Sequence, residues 1–147
     1  MWLEEHAGTP AAELAATLEY RSGLLGLAGT ADMREVLARA AAGDERAELA
    51  REVYLHRLRA SVAAMTAALG GLDALAFTGG VGENSAEIRS RAMAGLGFLG
   101  VREDASRNAD ATGDREIGAA GAPVRSLVIA AREDLEIARQ VRQVMAA

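Results

Sequence analysis

The run Thr78-Gly79-Gly80-Val81-Gly82-Glu83-Asn84 holds the densest group of chemically suggestive residues in the chain. It follows a short apolar stretch and precedes a helical pattern. Glycines there let the backbone take positive φ and approach a ligand, and the free N–H groups and dipole of the following helix favour an anionic or polar group. The chemistry this predicts is nucleotide binding. A tight strand-to-helix turn with no ligand accounts for the same glycines. A third reading takes Gly80-x-Gly82-x-x-Ser85 as a dinucleotide fingerprint, with Glu103 or Asp104 about 20 residues downstream as the ribose-binding acid. Serine in the third glycine position, and the long helix that precedes the motif, count against it.

Two further charged groups stand where chemistry is possible. Asp32 and Arg34 open a predicted helix, the acid complementing the dipole and the arginine reaching out of the first turn. Taken alone they are ordinary surface charges. Glu133 and Asp134 also fit simple first-turn acids. They directly follow a predicted buried strand, however, at the carboxyl end of a sheet where α/β ligands bind, and a carboxylate there can hold magnesium through water. His6 and His56 lack metal-ligand spacing. Ser22, Ser61, Ser85, Ser106 and Ser126 lack the G-x-S-x-G elbow of a serine-hydrolase nucleophile.

The elements that position these groups follow from periodicity and caps. Thr9-Pro10 is a helix start, with the Thr9 hydroxyl accepting from a free N–H, and the helix ends near Tyr20. Residues 21–29 are too glycine-rich for a helix and too apolar for a solvated loop, so a buried connector is expected. Thr30 is placed as the cap of the next helix, with Asp32 in its first turn and Met33, Val36, Leu37 and Ala40 on one face, up to Gly43. Leu49, Val53, Leu58, Val62, Met65 and Leu69 recur at three- and four-residue steps and predict a long amphipathic helix from about Asp44 to Leu69.

Gly70-Gly71 stops that helix, and residues 74–77 read as a strand buried on both faces. Asn84 and Glu87 have capping-box spacing, and Ile88, Ala92 and Leu96 form the next helical stripe. Residues 104–121 read as loop or edge, with a brief extended piece around Arg115 to Ile117. A second buried strand spans Val124 to Ile129. A last helix starts at Glu133-Asp134, with Leu135, Ala138, Val141 and Met145 on one side. Helices flanking at least two core strands with a crossover predict an α/β fold with a partly parallel sheet.

Composition narrows the function classes. The chain of 147 residues is 50% hydrophobic but only 3% aromatic, which suits close helix packing in one compact unit. It has no cysteine, so disulfides and thiolate metal sites are excluded and a cytoplasmic setting is expected. No basic, apolar leader opens the chain, and no apolar span approaches about 18 residues, so a membrane partner is not expected. With a net charge of −5 and mixed signs, nucleic acid is not an expected partner either.

Ser22-Gly23-Leu24-Leu25-Gly26, Asp32-Met33-Arg34, Gly70-Gly71-Leu72-Asp73-Ala74 and Phe77-Thr78-Gly79-Gly80-Val81-Gly82-Glu83-Asn84 together closely resemble acetate kinase in order and spacing. Gly95-Leu96-Gly97-Phe98-Leu99-Gly100 and the stretch from Val128-Ile129 to Ala138 continue the likeness over nearly the whole chain. The resemblance implies the actin-like ATPase fold shared with sugar kinases and Hsp70, in which two lobes enclose ATP and magnesium. Residues 1–147 then form a single C-terminal, nucleotide-binding lobe, helix-rich with a small mixed sheet.

By the same resemblance, Asp32, Arg34, Gly80, Val81, Gly82, Glu83 and Asn84 fall on ATP/ADP-binding positions, and Glu133 falls on the Mg2+-binding glutamate. None of the family's catalytic residues of the first lobe falls within the chain, so the 147 residues alone are expected to be inactive. Acetate would bind only if a first lobe is supplied. The alternative is a non-enzymatic nucleotide-binding or interaction module. The family pattern Pro-Thr-Asn-Glu-Glu reads Ala130-Ala131-Arg132-Glu133-Asp134 here, which sets an arginine beside the key acid and puts metal binding there in question. A lobe without its partner exposes an apolar interface, so self-association, as a homodimer or a larger assembly, is expected.

Overall fold

A computed structural model describes residues 2–146; Met1 and Ala147, the ends of the expected lobe, lie outside them. The chain divides into two compact units, Met1–Leu58 and Arg59–Ala147. The first unit is helical: α1 (Trp2–Ala7), α2 (Ala11–Tyr20), α3 (Gly23–Ala28), α4 (Met33–Ala41) and the start of α5 (Glu45–Leu69). The second contains the rest of α5, β1 (Ala74–Phe77), α6 (Gly79–Asn84), α7 (Ala86–Ala94), a 3-10 turn (Gly97–Leu99), α8 (Ala105–Ala109), β2 (Arg115–Glu116), β3 (Arg125–Val128) and α9 (Glu133–Met145). Among the described residues no helix is long and apolar enough to cross a membrane.

In the first unit, Ala28, Met33, Val36, Ala40, Ala47, Ala50 and Leu55 are buried. Arg39 ties the unit together: it donates to the Ala28 carbonyl at 2.8 Å and to Asp44 at 2.6 and 2.8 Å. Asp44 in turn caps α5, accepting from the Arg46 and Ala47 N–H groups. The expected cap of α2 is not formed by Thr9. Pro10 stands at the cap position, and its carbonyl accepts from Glu13 and Leu14. Nor is 21–29 a buried connector: it contains α3, and Leu25 is exposed. Gly26 serves close packing, since a Cβ there would lie 3.0 Å from the Arg21 carbonyl oxygen. Gly29, at φ 77°, then closes the helix.

The long helix forms as expected, but on a different face. Its buried side is Ala47, Ala50, Arg51 and Leu55, whereas Leu49, Val53, Met65 and Leu69 are exposed, Leu69 by 76%. Alanines let neighbouring backbone approach closely, and the buried Arg51 is paired with Glu48 and Glu52. Counting large apolar residues therefore selects the outer stripe.

The sheet of the second unit has the order β1-β3-β2, with β1 parallel and β2 antiparallel to β3. Phe77 pairs with Val128 in register, and the ladder ends where the Ile129 N–H donates to the Phe77 carbonyl at 2.9 Å. The strand at 74–77 is not buried on both faces: Ala74 and Ala76 are exposed, and only Phe77 is buried. β1 is an edge of this sheet, with a neighbour on one side only. Ile88, Ala92, Met93 and Leu96 from the α7 region lie in the core with Val101, Ile117, Val124 and Val128. The stripe expected on α9 faces solvent instead, Met145 by 83%.

Two turns differ from expectation. The glycine-rich run is itself one turn of helix, α6, and the cap of α7 is Ser85, not Asn84. Ser85 Oγ accepts from the Ile88 N–H at 3.2 Å, while Glu87 pairs with Arg91. Ser85→Ala is expected to lower unfolding free energy by about 1 kcal/mol in urea denaturation.

Candidate functional site

The glycine-rich turn leaves the carboxyl end of β1 and is held from several directions. Gly79 takes φ 72°, which favours glycine. Gly82 is small for a different reason: a Cβ there would meet the Phe77 carbonyl carbon at 3.2 Å. Gly80 is exposed, and a Cβ there meets nothing within 4 Å. Val81 is half-buried and its carbonyl accepts from the Ser85 N–H, while the Asn84 side-chain amide donates to the Gly80 carbonyl at 2.8 Å. The open side of the turn is thus the Gly80 backbone.

The Gly79 N–H at the start of α6 is not free. It donates to Glu83 Oε1 at 2.8 Å, and the same oxygen accepts from the Ala131 N–H at 2.9 Å. Glu83 therefore joins the turn after β1 to the segment after β3, two residues before Glu133.

Beneath the turn lies a polar cluster that the sequence reading missed. Arg89, 2% exposed, donates to the carbonyls of Gly82 and Glu83 at 3.0 and 2.8 Å, and to the Asn108 side chain and carbonyl at 2.6 and 2.8 Å. Asn108 is buried and donates to the Ala86 carbonyl at 2.9 Å and to Glu103 at 2.7 Å. Glu103 also accepts from the Ser90 hydroxyl at 2.7 Å. Burial pulls the Arg89 guanidinium below its ordinary value, and the nearby Glu103 opposes this. A signal existed: Arg89, Met93 and Leu96 share a helical face at four- and three-residue steps. The cluster also occupies Glu103 and gives Asp104 the cap of α8, so neither is arranged as a ribose acid.

Glu133 is exposed in the first turn of α9, and among the described residues no hydrogen bond or ion pair engages its carboxylate. The neighbouring arginine is directed elsewhere. Arg132 pairs with Asp114 at 2.8 Å, and Asp114 also accepts from the Ala130 N–H at 2.9 Å. These bonds hold the Asp114 carboxyl below the usual carboxylate range. A free carboxylate of this kind fits a magnesium ion that keeps most of its waters and binds chiefly to phosphate oxygens. Among the described residues no group of three or more acids or histidines is gathered to hold a metal by protein ligands alone.

Asp32 and Arg34 belong to the first unit. Asp32 is the cap of α4, not a first-turn residue: its Oδ1 accepts from the Arg34 N–H at 2.9 Å, and Thr30 supports it by accepting from the Asp32 N–H at 3.2 Å. The Arg34 guanidinium grips the same carboxylate. The Arg34 side-chain and backbone hydrogen bonds hold the Asp32 carboxyl down to about 2, from an ordinary 3.8. Because the folded value lies below the unfolded one, the pair's contribution is present above about pH 4 and is lost as pH falls toward 2. Both groups are exposed, so the contribution is screened by salt. A carboxyl NMR titration is expected to place the Asp32 midpoint near 2 at low salt.

The acetokinase family matches residues 1–139 of the chain. Acetate kinase of Leifsonia xyli subsp. xyli is 50% identical over 146 residues, covering 99% of this chain and 37% of that protein. The crystal structure of Porphyromonas gingivalis acetate kinase superposes with a TM-score of 0.89 at 34% identity, over 98% of this chain and 37% of that one. A propionate kinase from Francisella tularensis subsp. tularensis gives 0.84 at 38% identity, over 91% and 34%. The chain thus spans little more than a third of the length of these relatives, and within that span it has their α/β, actin-like ATPase fold. Match, identity and superposition agree with the resemblance read from the motifs: this chain belongs to the acetokinase family.

Proposed function

We propose that these residues are the nucleotide-binding part of an acetate kinase, holding ATP or ADP with magnesium for phosphoryl transfer between ATP and acetate, which gives acetyl phosphate and ADP. The observation that carries this reading is the turn at residues 79–84. It has an open Gly80 backbone at the carboxyl end of β1, where parallel α/β sheets bind ligands, and it is fastened through Glu83 to the segment bearing a free carboxylate, Glu133. The backbone of the turn Gly80, Val81, Gly82, Glu83 and Asn84 receives the nucleotide, and Asp32 and Arg34 of the first unit are read as ATP/ADP-binding positions by the family resemblance. Glu133 holds magnesium, which when bound neutralises charge on the phosphate oxygens.

Assayed alone, the 147 residues are expected to make no acetyl phosphate. Phosphoryl transfer is catalysed by positioning and by charge stabilisation around the transferring group, and loss of one such contact costs about 10²- to 10³-fold. The purified chain, given ATP, magnesium and acetate, is expected to bind ATP in calorimetry without turnover. Acetyl phosphate above background would overturn the inactivity, and an absence of binding by the folded chain would overturn the nucleotide role.

A second reading, an interaction module without catalysis, is favoured by α9, where Leu135, Ile137, Val141, Val144 and Met145 are all exposed. With Met65 and Leu69 on α5 they leave apolar surface that water disfavours. Self-association of the isolated chain is expected on either reading. Sedimentation velocity should show mass rising with concentration, and a clean monomer at high concentration would contradict it.

A further inference from the structure

Glu83 sits in the middle of the turn proposed to bind nucleotide, where a carboxylate invites assignment as a ligand contact. Its geometry suits a different task. One oxygen, Oε1, accepts from both Gly79 and Ala131, at 2.8 and 2.9 Å. The first bond closes α6 across four residues; the second spans 48 residues of sequence.

That second bond lies at a definite place in the sheet. β1 and β3 are parallel neighbours, and their ladder ends at the bond from the Ile129 N–H to the Phe77 carbonyl. Beyond it the chains part, one into α6 and the other toward α9. Glu83 joins them past the end of the ladder. Thr78, at the cap position of α6, contributes no side-chain cap, so the carboxylate of Glu83 does what the cap residue does not.

The glutamate is itself fixed from below. Arg89 holds the Gly82 and Glu83 carbonyls, Asn108 holds Arg89, and Glu103 holds Asn108. The backbone that carries the latch is thereby set against the core of α7 and α8. The latch ends on Ala131, two residues before Glu133.

We propose that Glu83 is a positioning residue for the magnesium-nucleotide site: it fixes the distance between the Gly80–Gly82 turn and Glu133 through the geometry of one acceptor oxygen, not through its charge. This rests on the reading of the turn and of Glu133 given above. Magnesium-dependent affinity then depends on the Glu83 carboxylate, which holds the backbone of the nucleotide-binding turn and itself touches neither ion nor nucleotide.

The substitutions that separate geometry from charge are Glu83→Gln, whose Oε1 still accepts twice, and Glu83→Ala, which cannot accept. The probes are ATP with magnesium, ATP in excess chelator, and amide hydrogen exchange followed by NMR on the 147-residue chain. Glu83→Gln is expected to keep the Gly79 and Ala131 amides protected and to weaken binding of either form of ATP far less than Glu83→Ala does. Glu83→Ala is expected to expose both amides and to weaken binding of ATP with magnesium on the order of 10- to 100-fold, the range for residues that orient a metal ligand, with a much smaller change in chelator.

If Glu83→Gln weakens binding as far as Glu83→Ala while both amides stay protected, charge acts directly and the proposal fails. It fails equally if Glu83→Ala leaves the Ala131 amide protected. A wild-type chain that binds no ATP would refute the nucleotide reading by itself, and exchange at Ala131 would still decide the latch.

Discussion

Replacing Arg89 by methionine is expected to lower the unfolding free energy by about 3–5 kcal/mol, the cost of removing one partner from a buried charged network. The side chain is 2% exposed and meets four acceptors, namely the carbonyls of Gly82, Glu83 and Asn108 and the Asn108 side-chain oxygen. Methionine fills similar volume but donates nothing, so all four acceptors lose this donor in a largely buried site, and Glu103 loses a nearby positive charge. Against a typical total of roughly 5–15 kcal/mol, this is enough to leave much of the protein unfolded at moderate urea. Arg89→Lys restores charge but not the planar fork, and should fall between the two. A methionine variant as stable as wild type would mean that the cluster does not support the turn.

The second large effect separates two glycines in one helical turn. Gly82→Ala is expected to be less stable than Gly80→Ala by about 1–3 kcal/mol, the usual cost of forcing a methyl group into packed surroundings. The methyl at position 82 would press on the Phe77 backbone at 3.2 Å, and backbone in a paired strand cannot swing aside as a side chain can. At position 80 the methyl meets open space, and replacing a helical glycine adds about 1 kcal/mol of its own. Binding should rank the other way. If the nucleotide lies against the Gly80 backbone, the methyl occupies its place, and affinity for ATP should fall roughly tenfold, about 1.4 kcal/mol, with the fold intact. Denaturation midpoints and ATP calorimetry on the two variants check both halves.

The readable parts of the sequence were those where one signal dominates. The α7 stripe of Ile88, Ala92 and Leu96 is buried as its spacing implied, and both principal strands lie within a residue or two of their expected bounds. The short helices were hidden by composition. Glycine marks α3 and α6 as breaks, yet Gly26 and Gly82 are there because Arg21 and Phe77 backbone lies against them. The face of α5 was misread because alanine carries little hydrophobic weight but packs most closely, so Ala47 and Ala50 are buried while Leu49 and Leu69 are not.

The candidate site was legible as a motif and not as a mechanism of support. The run Thr78 to Asn84 announces a turn at a sheet edge, but nothing local shows that Glu83 reaches Ala131, since that contact depends on the pairing of β1 with β3. Arg89 reads as one more surface charge until Asn108 is brought beneath it by α8, an element absent from the expected topology. Asp32 and Arg34 read correctly as neighbours at a helix start, but their bond to each other needs the cap geometry.

The most direct test follows the backbone amides of the 147-residue chain by NMR while ATP and magnesium are added. The expected result is saturable shifts centred on Gly79 to Asn84, with Glu133 and its neighbours moving only when magnesium is present. Shifts confined to other parts of a folded chain, or none at all, would contradict the nucleotide role of the turn.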